Sequence, residues 1–218
     1  MVDLNNVDQV RKVDTLNALA ATQGYDQQFL DAYKDCMNLE LPILDREIKN
    51  VVVIGTGGWS NVAASIVRSM FFHELTLHIL SVLGYNIPAV VNKNSLIIVL
   101  SRFGNVEEVL SATQQSIDRG AYILSVMSGG SLVDMCRENN VPYMIMPMDD
   151  RMPRTLIAYS VLPIIIFMSR LGLMADKTED INETIQLFRE LRERYGVEVP
   201  VKQNLAKQIA GRVRGKIP

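Results

Sequence analysis

Three short stretches pair glycine with hydroxyl or amide side chains in the manner an anion-binding loop requires: "GTGGWSN" from residue 55, "SRFGN" from 101 and "MSGGS" from 127. Each follows an apolar run of strand length and precedes a helical pattern. Backbone N–H groups, a hydroxyl and the positive end of a helix can therefore converge on a phosphate. In the second loop, two positions where a hydroxyl would help carry Phe103 and Val106. A fourth candidate is Arg154 in "DDRMPRTLIAYS", where Pro153 offers a rigid turn just past the last predicted strand. A guanidinium there could make planar, two-point contact with a phosphate or a developing oxyanion. As a flank at the N-terminus of an apolar helix an arginine opposes the helix dipole, which favours a role in the crevice.

Other chemistries find less support. "GTGGWS" has Ser60 where the dinucleotide fingerprint needs its last glycine, and it lacks the Gly-Lys-Ser/Thr ending of a P-loop, so no NAD, ATP or other cofactor is expected. His73 and His78 have no Cys, Asp or Glu partners at ligand spacing, and no metal is expected. Cys36 and Cys136 lie far apart without a CxxC motif. With the polar start "MVDLNNVDQVRK", they predict a reducing, cytoplasmic location. The net charge of -2, with both signs interspersed, leaves no electrostatic footprint for nucleic acid.

The elements that must position these loops are legible as a pattern. In 218 residues, 48% hydrophobic and 21% charged, there is material for a sizeable core. The runs 50–55, 75–82, 95–100, 121–126 and 142–147 are continuous in Val, Ile and Leu rather than alternating, as strands covered on both faces are. Helical spacing fills 60–74, 105–120 and 130–140, with Gly120 and Asn139-Asn140 as stops. Pro88 in "GYNIPAVVNKN" leaves room only for a turn between the second and third runs. Strand and helix in alternation predict a doubly wound parallel sheet. Such sheets bind ligands beyond the carboxyl ends of their strands, where the three loops fall.

Outside this region, residues 7–38 are helical in pattern, as are "DINETIQLFRELRERYG", closed by Gly196, and 204–214. The stretch 155–169 is apolar all round, shorter than the roughly 20 residues of a membrane span and interrupted by Pro163. We read it as a helix buried in a core or at an oligomer interface, the interface being favoured over a membrane.

Together, "VVVIGTGGWSN", "GYNIPAVVNKNSLIIVLSRFGNVEEVL", "GAYILSVMSGGSL" and "MPRTLIAYSVLPII" resemble the sugar isomerase (SIS) domain, and within it the bifunctional phosphoglucose/phosphomannose isomerases. The likeness runs from about Asp14 onward, in order and at matching spacing. It implies an α/β fold, a three-layer αβα sandwich with a five-stranded parallel sheet in flavodoxin-like order. It also implies a helical segment over 1–45, the SIS domain over 46–175 and a helical linker over 176–218, the second SIS domain being absent from this chain.

The family's first loop places Gly55, Gly57 and Gly58 on the motif and Trp59 where a phosphate-binding serine is usual, with Ser60 able to substitute if the loop shifts by one. Ser101, Gly104 and Asn105 match the third-strand loop, while Phe103, Val106 and Val109 replace hydroxyls. Ser128, Gly129 and Gly130 match the next loop, and Arg154 the arginine that supports an enediol-like intermediate. Each hydrogen bond to a charged group is worth roughly 1.5–3 kcal/mol, so losing three weakens phosphate binding by several orders of magnitude.

The implied activity is aldose–ketose isomerisation of a sugar phosphate, with Arg154 in the catalytic set and Gly57, Gly58, Ser60, Ser101, Gly104, Asn105 and Ser128 in the phosphosugar site. The carboxylate base and ring-opening acid would come from elsewhere, since in the similar enzymes they lie in or after the second domain. The implied partner is a second SIS domain or, in a homodimer, a second copy. The alternative is a degenerate SIS domain with a structural or regulatory role, or a pocket that has changed ligand.

Overall fold

The computed structural model describes residues 2–148 and 155–216. The five apolar runs are strands: β1 (Asn50–Ile54), β2 (His78–Val82), β3 (Ser95–Ser101), β4 (Tyr122–Met127) and β5 (Tyr143–Ile145). They form one parallel sheet in the order β2-β1-β3-β4-β5, the flavodoxin-like order. Ile54 stands opposite Val82 on one side and Val99 on the other, so the loops that follow these strands leave from one edge. Every residue of β1 and β3 is buried, which is why their sequences show no polar alternation.

In chain order the helices are α1 (Val7–Val13), α2 (Ala18–Gln23), α3 (Tyr25–Asn38), α4 (Gly57–Met70), α5 (Glu107–Asp118), α6 (Ser131–Glu138), α7 (Ala158–Arg170), α8 (Thr178–Tyr195) and α9 (Leu205–Val213). The chain divides into two compact units, one of Phe29–Lys177 and one of Met1–Gln28 with Thr178–Pro218.

In the first unit, Val52, Ile54, Ile97 and Val99 pack under Val109 and Ala112 of α5 and Leu132 and Cys136 of α6. The alternate residues of the same strands point the other way, to the face on which α4 and α7 pack together. The result is a helix–sheet–helix sandwich.

α7 corrects an expectation. Its sequence leaves it in a core or at an oligomer interface, the latter meaning an exposed apolar face in an isolated domain; it is buried within this chain from Ala158 through Met168. It packs on α4, and its Tyr159 hydroxyl bonds Asp35 of α3 at 3.2 Å. Arg170 donates to the Cys36 and Leu39 carbonyls at 2.7 and 2.8 Å, satisfying acceptors at the end of α3. Periodicity shows that a helix is covered on several sides; it does not show by which chain. No helix of the described residues is long and apolar enough to cross a membrane.

No helix forms between β2 and β3, as Pro88 predicts. The connecting strap lies along α5 instead. Ser111 Oγ and Gln115 Nε2 donate to the Tyr85 carbonyl at 3.1 and 2.6 Å. Arg119 donates to the carbonyls of Pro88 and Val91 at 2.9 and 3.1 Å. These three side chains recur every four residues and so share one face of α5.

In the other unit, the buried Asp26 carboxylate receives Arg192 at 2.8 Å and Arg189 at 3.6 Å. The buried Asn204 side chain caps α9 by accepting the Lys207 N–H at 3.0 Å, and donates back to the carbonyls of Tyr195 and Gly196 at 3.0 and 3.1 Å.

Candidate functional site

The strand order reverses between β1 and β3, so the crevice beyond their carboxyl ends is where a sheet of this kind binds ligands. The β1 loop enters it under tight steric control. A Cβ on Gly55 would lie 2.5 Å from both the Leu100 carbonyl oxygen and the Ser60 hydroxyl, so no larger residue fits. Gly57, at φ 78°, and Gly58 are exposed, and nothing lies within 4 Å of where their Cβ atoms would be. They open the start of α4, whose N-cap Thr56 makes no side-chain capping bond and whose first turn carries no acid. That is an electropositive helix end facing free space.

Trp59 does not face a ligand seat: its indole N–H donates to the Leu156 carbonyl at 2.9 Å. Ser60 is buried beneath the helix start, its hydroxyl 3.5 Å from the Thr56 carbonyl oxygen. The crevice lining from this loop is therefore backbone.

The β3 and β4 loops contribute hydroxyls. Ser101, opposite Met127 in the sheet, is 4% exposed. Among the described residues, the Oγ atoms of Ser101 and Ser128 are buried without a hydrogen-bond partner, as are those of Ser81 in β2 and Ser125 in β4, and it is the first two that lie at the carboxyl ends of their strands. An unpaired buried hydroxyl costs about 1–3 kcal/mol, so two of them at adjoining strand ends call for an acceptor. Phe103 is exposed, with the Arg102 guanidinium 5.3 Å from its ring centre.

Val106 is the N-cap of α5 and makes no capping bond; its side chain packs against the cluster that contains buried Val109. Two of the three positions that lack a hydroxyl are thus part of the core beneath the loop. Asn105 turns its side-chain oxygen to the Ser131 N–H of α6, at 2.8 Å. Glu107 and Glu108 occupy the first turn of α5, and the Tyr85 hydroxyl donates to Glu107 at 3.4 Å. Repulsion by Glu108, the largest cause, pushes the Tyr85 phenol above its ordinary pKa.

Arg154 and Pro153 lie outside the described residues. The nearest described residues after them, Thr155 and Leu156, are buried. Among the described residues no group of three or more His, Cys, Asp or Glu is placed to hold a metal. Both cysteine thiols are buried, and burial pushes their pKa values up, away from the reactive thiolate.

The structure thus brings Gly57, Gly58, Ser101, Gly104, Asn105 and Ser128 to one edge of the sheet and turns Ser60 inward. The Trp59–Leu156 and Asn105–Ser131 bonds had no signal in the sequence, for their partners lie 97 and 26 residues away.

Known proteins resemble the chain in sequence and in fold. The chain is 31% identical over 192 residues to the bifunctional phosphoglucose/phosphomannose isomerase of Caldicellulosiruptor bescii, covering 88% of this chain and 56% of that protein. It is 31% identical over 184 residues to the enzyme of the same name from Thermoplasma acidophilum, covering 84% and 54%. The chain therefore spans a little over half the length of the curated relatives it matches.

Among solved structures, a Clostridium difficile 630 protein provisionally assigned as a phosphosugar isomerase superposes with a TM-score of 0.60 at 16% identity, over 89% of this chain and 56% of that one. A Bacillus subtilis protein with the same provisional assignment gives 0.54 at 18% identity, over 90% and 58%. At these identities the structures show the fold alone. No family model matches the chain.

Proposed function

We propose, for a chain that is a SIS-fold homologue of the bifunctional phosphoglucose/phosphomannose isomerases, that the crevice between β1 and β3 binds the phosphate of a hexose 6-phosphate. In this reading residues 46–175 form the phosphosugar-binding domain and 176–218 a linker. The observation that carries it is the pair of buried, unpartnered hydroxyls, Ser101 and Ser128, beside two helix ends that have no side-chain cap. Backbone N–H groups at Gly57, Gly58 and the start of α5 would complete the anion seat.

The reaction is the interconversion of glucose 6-phosphate or mannose 6-phosphate with fructose 6-phosphate through an enediol, a step of glycolysis and gluconeogenesis in the cytoplasm. Arg154 would stabilise the enediolate charge. Moving a proton between C1 and C2 also needs a carboxylate over that carbon pair and an acid to open the ring. We assign those groups to a second SIS domain or a second copy of this chain, not to Glu107 or Glu108, which occupy the first turn of α5.

A second reading rests on a different observation. Val106 and Val109 are packed into the core, where hydroxyls would be needed for a full phosphate cradle. This favours a degenerate SIS domain with a structural or regulatory role. Calorimetric titration of the chain with fructose 6-phosphate, alongside Arg154→Ala, separates the two. Binding that the variant loses upholds the phosphosugar site, and no heat of binding to the unaltered chain overturns it in favour of the second reading.

A further inference from the structure

The loops after β3 and β4 are in contact along their backbones, and glycine makes that possible at two points. Gly104, at φ 68°, comes so close to the Gly129 carbonyl oxygen that a Cβ would overlap it at 1.8 Å. Gly130, at φ 78°, would bring a Cβ to 2.3 Å from the Phe103 carbonyl oxygen. Two backbone bonds join the loops: the Ser128 N–H to the Arg102 carbonyl at 2.8 Å, and the Leu132 N–H to the Gly104 carbonyl at 2.9 Å.

Helix α6 therefore begins after a glycine it cannot exchange. Gly130 is its N-cap, and a residue there with a capping oxygen would strike the β3 loop. The oxygen comes instead from Asn105, across the gap, to the Ser131 N–H at 2.8 Å. A residue that looked like a ligand contact in the sequence supplies the cap of a neighbouring helix.

We propose that Asn105 is a positioning residue: its side-chain oxygen fastens the β3 loop to the start of α6 and so holds the Ser101 and Ser128 hydroxyls in fixed relation before any ligand arrives. The tie stands on the structure alone; its use for a phosphate rests on the reading above. With the two backbone bonds it holds the two loops as one body, so that a ligand need not gather them, and the ordering cost of binding is lowered.

The role depends on an acceptor and not on the amide's N–H groups, which gives the test. In Asn105→Ala the cap is lost, and the Ser131 amide should exchange with deuterium about fivefold faster, the equivalent of a cap of roughly 1 kcal/mol. Asn105→Asp keeps the acceptor and adds a charge of the sign the α6 N-terminus favours, so exchange there should stay within about twofold of the unaltered protein.

Fast exchange in both variants, or unchanged exchange in Asn105→Ala, overturns the proposal. Fructose 6-phosphate titration is the second arm. Affinity lowered in Asn105→Ala together with faster exchange supports positioning, whereas the Asn105→Asp carboxylate would itself repel a phosphate and that variant is read by exchange alone. Affinity unchanged in Asn105→Ala while the Ser131 amide exchanges fast overturns the positioning role in binding. If the unaltered chain binds no fructose 6-phosphate, the phosphosugar reading fails, while amide exchange still decides for or against the tie.

Discussion

Val106 offers a direct measure of what a hydroxyl would contribute at the head of α5. It holds the N-cap position of α5 with extended backbone (φ −74°, ψ 118°), the conformation a capping side chain needs, yet no capping bond forms. Val106→Thr is close to isosteric and places a hydroxyl where the first-turn N–H groups can reach it. The cap should contribute about 1 kcal/mol. Against this stands one methyl withdrawn from a side chain that is only partly buried against the core, about 0.4 kcal/mol, half the value of a fully buried methylene.

The net expectation is a stabilisation of about 0.5 kcal/mol. That is a rise in melting temperature of about 1–2 °C for a chain of this size. Val106→Ala, which loses packing without gaining a capping acceptor, should be less stable than both. Differential scanning calorimetry of the three proteins reads the order directly. A Thr variant no more stable than the Ala variant would refute the reasoning, because it would mean that the α5 N-terminus has no unmet donors to offer an anion either.

Two further outcomes follow from polar contacts elsewhere. Trp59→Phe keeps most of the ring and removes the donor to the Leu156 carbonyl; urea unfolding followed by circular dichroism should show a loss of about 1 kcal/mol, and an unmoved midpoint would discount that bond. At the opposite edge of the sheet, the Tyr122 hydroxyl donates to Asp45 and, with Arg46, holds that carboxyl below its usual pKa. Because the folded value is depressed, the contribution to stability is present above the ordinary carboxylate pKa near 4 and is lost as pH falls through the folded one. Tyr122→Phe should raise the Asp45 pKa toward its ordinary value in a carboxyl NMR titration; an unchanged titration would rule out the phenol as the cause.

What could be read in the sequence was set by range. β1 and β3 were legible because strands buried on both faces need only apolar residues in a row, a property of five to seven consecutive positions. The glycines of the β1 loop were legible as a motif, and the missing helix after β2 followed from Pro88 alone. α7 was legible as buried, but what covers it is set by α3 and α4, far away in the chain. Asn105 was read as a site residue, and its partner could not be seen because capping is normally local, whereas here the local position is closed to any side chain. Ser60 had the right chemistry one place along from the motif, and the helical turn rotated it inward.

The strap between β2 and β3 carries a consequence for how this protein can change. The side chains of Ser111, Gln115 and Arg119 all grip it by its carbonyls, groups that every residue possesses. Instructions for the strap's path are therefore written in the helix beneath it. Of its own side chains, Ile87 and Val91 are held by burial in the core and Pro88 by its preset backbone angle, while the exposed ones are free to drift. Substitutions should be tolerated at the strap's exposed positions and resisted below, and a neighbour of the crevice can acquire new side chains there without a change in the route of the chain.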